Sequence, residues 1–568
     1  MVRRDADVYV LHLQGTRDEM ARQHGELLRD EIRHGVLPFM ADFLEKQVKG
    51  DADVLSRILS GLVGMGLKGL SRIVASNTPH QLRGELHIVA ETAGVDPRAA
   101  DMALAVPDTM MWVLGMADRL WRADFSMTPM PVKGGVGFGC SGVAALPSAT
   151  ADGQLLQGRN LDYDGIGTFD KYPTVAFCKP ADGQAYAWIA SAGVHTAALT
   201  GMNESGIFLG SNTSPTTDVS LCGMPFFALN EEVIRQATTL GEAVAILSRM
   251  RCVSGYSVMV SHGPSGESIV AEYSSGRLGV RKPLGGCLAA TNHYLNQNTA
   301  PTIPHVSLVD TVNTRKRYAQ LRRKLAEGYG SLTIDDLVSI MRTQHEHPTG
   351  ELHPLGDVVC NYLNISSVVA NVTERQIWTT CDSAPSALGR YVFFDLAQEL
   401  RHFGQPRAYP LQVKPADPFR ATPSMDGVRA YKRAHMAHSY EADHETAHDD
   451  LALARASLPD ESRIVLSQAL MALRLDRLTE AEDHAAAYLA MAPGWDGRRY
   501  RAHLVRAWCL QLRGHDDAAR CHLIEAQRQS PHVDDADWEI RHWFRRRFTH
   551  TDRKQLHVEL FNAKRLLL

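Results

Sequence analysis

The chain has no Cys-x-x-Cys pair, no long uninterrupted apolar run and almost no excess of charge of either sign, and each lack removes a class of protein. Its nine cysteines, Cys140, Cys178, Cys222, Cys252, Cys287, Cys360, Cys381, Cys509 and Cys521, are odd in number and widely spaced. That argues against both a disulfide framework and a structural zinc site. Most are expected to be buried small hydrophobes. Lys and Arg total 60 against 64 Asp and Glu, a formal net charge of -4, so the balance gives no hint of a nucleic-acid partner. The longest apolar-looking stretch, Ile58 to Leu70, is broken by glycines and Lys68 and is too short to span a bilayer. Met1-Val2-Arg3-Arg4-Asp5-Ala6-Asp7 runs straight into the strand-like Val8-Tyr9-Val10-Leu11 with no apolar signal core. A soluble, cytoplasmic protein without membrane contact is the expectation. Gly134-Gly135-Val136-Gly137 lacks the Lys-Ser/Thr of a phosphate loop, and no cofactor is expected.

What is present is ample apolar material, 44% hydrophobic and 22% charged in 568 residues, enough for several domains. Residues 1–139 read as mainly helical, with periodic Leu27, Leu28, Ile32 and Val36 behind Thr16-Arg17-Asp18-Glu19, a second stretch from Val54 to Ala75, and a third from Leu104 to Leu120 that Pro107 breaks or starts. The glycine-rich run Lys133 to Gly139 is no helix interior and reads as a flexible connector into Cys140.

From Cys140 to about 400 the texture is short β-type runs (141–146, 174–177, 185–189, 257–260, 366–371, 391–396) with one helix over Ala228 to Met250 and others at Thr311 to Ala326 and Thr333 to Arg342. The pattern predicts an α+β domain of two stacked sheets covered by helices. A proline-rich linker, 401–427, leads to a helical domain, 428–568. There Ala481 to Pro493 parallels Ala518 to Pro531, which fits either a tetratricopeptide-like array or an ordinary helical bundle. A protein partner or self-association through these helices is the corresponding expectation.

Gly139-Cys140 has the makings of a self-cleaving N-terminal nucleophile. Cleavage would free an α-amine, whose pKa of about 7.7–8.0 lets it serve as base for the thiol of its own residue. Glycine tolerates the strained backbone of an N-to-S acyl shift. A hairpin turning at Asp152-Gly153 returns the chain to Gly158-Arg159-Asn160-Leu161-Asp162 and sets Arg159 and Asp162 beside Cys140. Asp162 would orient the amine and Arg159 would lower the thiol pKa; the bland alternative is a salt bridge at a hairpin end.

With these residues in view, Cys140-Ser141-Gly142 followed by Gly158-Arg159-Asn160-Leu161-Asp162 resembles the start of the mature subunit in the isopenicillin N (penicillin) acyltransferase family. These are autoproteolytic cysteine Ntn hydrolases related to the choloylglycine hydrolases. Gly201-Met202-Asn203-Glu204-Ser205-Gly206-Ile207, Thr291-Asn292-His293, Thr314-Arg315-Lys316-Arg317-Tyr318 and Gly15 through Gly25 resemble further family segments in order, over roughly residues 8 to 396. The resemblance implies a four-layer αββα Ntn fold behind a helical pro-region. It implies Cys140 as nucleophile and base, and cleavage between Gly139 and Cys140. Asn292 through its side-chain amide and Asn203 through its backbone N–H would form the oxyanion hole. Arg159, Asp162 and Arg317 (or Arg315, the helix register being open) would hold the amine and thiol. The substrate would be a small acyl amide or acyl donor, with hydrolysis and acyl transfer equally served by these residues.

One rival stands in the sequence. His444-Glu445-Thr446-Ala447-His448 matches a zincin pattern, but Leu451 occupies the metzincin glycine position and the surroundings are polar. His345, His347 and His353 fit no zinc motif. No metal site is expected, and a non-catalytic helical-repeat interaction protein is the remaining alternative.

Overall fold

The computed structural model describes residues 1–48, 54–122, 138–163, 165–304, 311–492, 498–529 and 543–556. Of the connector expected over 133–139, residues 133–137 lie outside the described residues, and Phe138 and Gly139 open a strand instead. Two sheets organise the molecule. The first has nine strands in the order β1-β2-β5-β6-β7-β8-β9-β10-β11, namely Val2–Asp5, Val8–Gly15, Pro173–Pro180, Tyr186–Ser191, Thr200–Asn203, Ile207–Thr213, Tyr256–His262, Glu267–Tyr273 and Leu278–Arg281. The second has seven in the order β12-β3-β4-β13-β14-β15-β16, namely Cys287–Ala290, Phe138–Ala145, Leu156–Tyr163, Asn364–Asn371, Gln376–Thr380, Tyr391–Asp395 and Val413–Lys414.

Period-two alternation in the strands divides the apolar residues between faces. Val8, Val10, Val175, Phe177 and Phe208 of the first sheet share one core with Val368, Ala370, Ile377 and Phe394 of the second. Their alternates Leu11, Leu13, Ala176, Trp188 and Leu209 pack instead with helices Arg17–Leu27, His80–Ala93 and Phe226–Gln236. On the far side of the second sheet, Val143, Leu156, Val369 and Phe393 pack with Leu321, Leu325, Leu337 and Met341 of helices Thr311–Glu327 and Ile334–Met341. The result is an α+β arrangement of two sheets and many helices, with a helical C-terminal region.

Three local expectations differ from the structure. The stretch 1–139, read as mainly helical, also supplies β1 and β2, and β2 runs parallel to β5 inside the larger sheet. The single helix expected over 228–250 is two, Phe226–Gln236 and Leu240–Arg249, because Thr239 caps the second by accepting from Glu242 N. Pro107 neither starts nor breaks its helix, which runs unbroken over Pro97–Arg122.

Beyond 401, the proline-rich stretch carries β16 against β15. Helices then follow at Pro423–Met436, His444–Ser457, Ser462–Arg474, Leu478–Met491, Arg499–Leu512 and Asp516–Arg528. Within the described residues the two resembling segments fall mainly in helices Leu478–Met491 and Asp516–Arg528, each packed on the helix before it. This region packs on the rest in an apolar cluster in which Tyr431 and Leu470 share a core with Val36, Met110, Tyr163 and Tyr362.

Candidate active site

The β3–β4 hairpin builds the site's base. Gly153 takes φ +72° at the turn, which glycine permits at no steric cost, and the register then pairs Gly139 with Asp162, Cys140 with Leu161 and Gly142 with Arg159. Arg159 Nη2 lies 3.7 Å from Cys140 Sγ and donates to Ser211 O at 2.8 Å, while its Nη1 donates to Thr200 Oγ1 at 2.9 Å. The guanidinium therefore spans from the thiol to the facing sheet.

Asp162 is held by two asparagines. Asn361 Nδ2 and Asn364 Nδ2 each donate to one of its carboxylate oxygens at 2.9 Å. Gly139 packs directly on that carboxylate, and a Cβ there would sit 2.9 Å from Asp162 Oδ2. Only glycine fits without displacing the acid.

Two segments noted in the sequence interlock above the hairpin. Thr314 Oγ1 accepts from Asn292 N at 2.8 Å, and Thr291 Oγ1 donates to Thr314 O at 3.0 Å. Asn292 Oδ1 then accepts from Cys140 N at 2.9 Å and from Arg317 Nη2 at 2.7 Å. Arg317 Nη1 donates to Cys140 O at 2.7 Å and to Ser141 Oγ at 3.0 Å. Arg315, two positions away, is exposed; residues two apart point to different sides of a helix, so only Arg317 reaches the cysteine.

The electrostatics of the cluster follow from its burial. Cys140 is 3% exposed. Burial pushes its thiol above the ordinary range; Arg159 and Arg317 pull it down and Asp162 adds to the rise, and burial prevails. The lowering expected of Arg159 is present but outweighed. Burial also drives the Asp162 carboxyl up to about 6 against Arg317, Asn364, Asn361 and Arg159.

In front of the thiol opens a small apolar cavity. Cys140, Arg159 and Thr213 form one part of its lining, and Leu37, Met40 and Leu104 from the N-terminal helices form another. Pro107 also lines it. Its walls suit a hydrocarbon or aryl group.

The structure thus brings together Cys140, Gly139, Arg159, Asp162, Asn292 and Arg317, and it does not bring Asn203 to them. Arg159 touches Thr200, and Asn203 lies three residues further along β7, roughly 10 Å at strand spacing. Its side chain is spent on the turn, with Nδ2 donating to Ile234 O and Ala237 O and Oδ1 accepting from Ile207 N. The Asn292 amide is also differently engaged, its Nδ2 donating to Thr213 O at 2.9 Å and Thr213 Oγ1 at 3.1 Å. Sequence reasoning missed Thr213, Asn361, Asn364 and Asn212. The last is 1% exposed with neither amide atom hydrogen-bonded, and its Nδ2 would lie 3.5 Å from a Cβ at Gly142.

The zincin-like residues are otherwise occupied. His444 Nε2 lies 3.1 Å from Arg474 Nη2, and His448 Nε2 lies 2.7 Å from Glu480 Oε1 with Arg477 Nη1 3.2 Å from its Nδ1. Glu445 pairs with Arg477 at 2.6 Å. A guanidinium beside each histidine opposes a dication there. His353 is pushed up to about 9 chiefly by Glu461, whose Oε2 lies 3.6 Å from its Nδ1; protonated, it is no metal ligand. Among the described residues no helix is long and apolar enough to cross a membrane.

Comparison with known proteins places this geometry in context. Residues 148–379 match the family model described as acyl-coenzyme A:6-aminopenicillanic acid acyl-transferase. The matched span begins eight residues after Cys140 and takes in Arg159, Asp162, Asn203, Asn292 and Arg317. An uncharacterized protein of Archaeoglobus fulgidus is 22% identical over 351 residues, covering 58% of this chain and 56% of that protein. The chain therefore spans little more than half the length of this curated relative.

Proposed function

From the premise that the region 148–379 is penicillin-acyltransferase-like, we propose that the chain is a self-processing cysteine Ntn hydrolase. It would adopt the αββα layering and act on amide bonds of apolar acyl groups, as amidohydrolase or acyltransferase. The observation that carries this reading is the convergence on Cys140. Its backbone N is held by Asn292 Oδ1, its carbonyl by Arg317, and its Sγ faces Arg159 at the edge of the apolar cavity.

In the proposed maturation the Cys140 sulfur attacks the Gly139 carbonyl carbon, and the C–N bond breaks as the acyl group passes from nitrogen to sulfur. The thiol proton goes to the departing nitrogen, with Asp162, poised near 6, as carrier. Water then hydrolyses the thioester, leaving a Gly139 carboxylate and a free Cys140 thiol and α-amine. In turnover the α-amine takes the thiol proton, which suits a thiol that burial keeps protonated. Sulfur attack on a substrate amide gives an acyl-enzyme and releases an amine, and water or a second amine accepts the acyl group. The cavity is proposed to hold the acyl portion. Asn292, with its Nδ2 against Thr213 at the cavity edge, remains the proposed side-chain donor to the oxyanion, an interaction typically worth about 2.7–4 kcal/mol. Asn203 is left to the turn it holds.

The test is a panel of aliphatic and aryl acyl amides assayed by mass spectrometry with trapping of the acyl-enzyme. The expected result is an acyl adduct on the peptide that begins at Cys140, absent from Cys140→Ala, with activity untouched by chelators. Turnover surviving in Cys140→Ala, or lost on chelation, sinks the proposal, and the second outcome would redirect attention to His444 and His448.

A further inference from the structure

The helical C-terminal region is linked to the site by a polar chain whose outer members, Arg463 and Arg498, lie beyond the family match, which ends at residue 379. It starts at Arg463, on helix Ser462–Arg474, and Arg498, at the start of helix Arg499–Leu512. Each guanidinium lies 3.4 Å from Asp357 Oδ1. Asp357 is 2% exposed, and Lys316 Nζ approaches its other oxygen at 3.5 Å. Burial opposes its charge, but Arg498, Arg463, Lys316 and Asn313 hold it ionised, well below the usual carboxylate range.

Asp357 Oδ1 accepts from Asn313 Nδ2 at 3.0 Å, and Asn313 Oδ1 accepts from Arg317 Nε at 2.7 Å. Arg317 in turn holds Cys140 O and Asn292 Oδ1. Each link fixes the next. A carboxamide that donates to a carboxylate at one end must present its oxygen at the other, and that oxygen fixes the plane of the Arg317 fork.

We propose that Arg463, Arg498, Asp357 and Asn313 are positioning residues through which the C-terminal helices set Arg317, and with it the carbonyl, amine and thiol of Cys140. The C-terminal region is then a working part of the catalytic unit, and a ligand or partner that shifts helix Ser462–Arg474 or the start of helix Arg499–Leu512 changes the rate at Cys140. The proposal rests on the reading of Cys140 as nucleophile, yet its physical core is the state of one thiol.

The sign of the effect is fixed. Replacing both arginines by methionine removes two positive charges and loosens Arg317, and both changes raise the thiol pKa. A higher thiol pKa leaves less thiolate at neutral pH and so slows every step that needs it.

The experiment uses the full-length protein as wild type, Arg463→Met/Arg498→Met, Arg463→Lys/Arg498→Lys, and Arg498→Met alone. Readouts are the half-time of self-cleavage, the pH profile of iodoacetamide alkylation at Cys140 by peptide mass spectrometry, and thermal unfolding. Expected are slower cleavage and an alkylation profile displaced to higher pH in the double methionine variant, with substantial recovery in the double lysine variant. If the double methionine variant does not fold, the milder Arg498→Met, whose side chain is 29% exposed, carries the test with a smaller displacement of the same sign. A folded variant with wild-type cleavage and an unmoved alkylation profile overturns the proposal, as does a loss of unfolding temperature with no change in profile. Failure of the nucleophile reading looks different: Cys140→Ala would cleave and turn over normally, while the alkylation comparison would still report on the link to Asp357.

Discussion

Gly139 faces the carboxylate of its cross-strand partner so closely that a single methyl group meets Asp162 Oδ2 at 2.9 Å. Gly139→Ala is accordingly expected to push Asp162 aside and slow self-cleavage by roughly 10-fold or more, read as fragment appearance over time, because small misplacements at a reacting centre are costly. Asp162 itself gives a pH signature. Its folded pKa of about 6 lies above the unfolded value of about 3.9, so the fold binds the extra proton. The contribution of Asp162 to stability is therefore full below about 3.9 and is lost as pH rises through about 6. Asp162→Asn, neutral throughout, should therefore compare more favourably with wild type near pH 8 than near pH 5, by about 1 kcal/mol in denaturant unfolding. Self-cleavage in the wild type should meanwhile change through a limb near 6 that the variant lacks. Cys140, Arg159 and Asp162 were legible in the sequence because a hairpin's turn fixes its register over a few residues. Asn361 and Asn364 were not, since they reach Asp162 from about 200 residues away. Asn203 was expected through its backbone N–H, which leaves no side-chain signature, and its side-chain amide holds the β7–β8 turn.

Helix Thr311–Glu327 carries a sequence ambiguity that its packing resolves. Arg315 and Arg317 are interchangeable by composition, yet 100° per residue separates them by more than half a face, and only Arg317 is buried, at 2% exposure. Arg317→Met is expected to lower self-cleavage by roughly 10²-fold, since it removes donors to Cys140 O and Asn292, whereas Arg315→Met leaves the rate within about twofold. Gel densitometry of freshly expressed protein distinguishes the two. The helix and its neighbours were predictable from apolar periodicity, and the interlock of Thr314 with Thr291 and Asn292 explains why two short, individually weak segments occur together. The break between helices Phe226–Gln236 and Leu240–Arg249 was masked by continuous apolar spacing, although Thr239 and Glu242 are visible capping residues.

At the scale of the whole molecule, the stretch before Cys140 is no detachable leader in this structure. β2 lies between β1 and β5 in the larger sheet, and the helices that follow line the cavity in front of the thiol. After cleavage the fragment 1–139 is expected to co-purify with 140–568 at one to one and to separate only under denaturing conditions, and the separated large piece should be inactive. The two-sheet domain was legible from alternating strand patterns and the family resemblance. The docking of the C-terminal helices was not, because the core joining Tyr431 to Tyr163 and Met110 is assembled from segments hundreds of residues apart. Intact-mass analysis and N-terminal sequencing of the purified protein test the central claim most directly. The account predicts fragments of 139 and 429 residues from the 568, the larger beginning Cys140-Ser141-Gly142; a chain that stays whole, or a larger fragment beginning at any other residue, contradicts it.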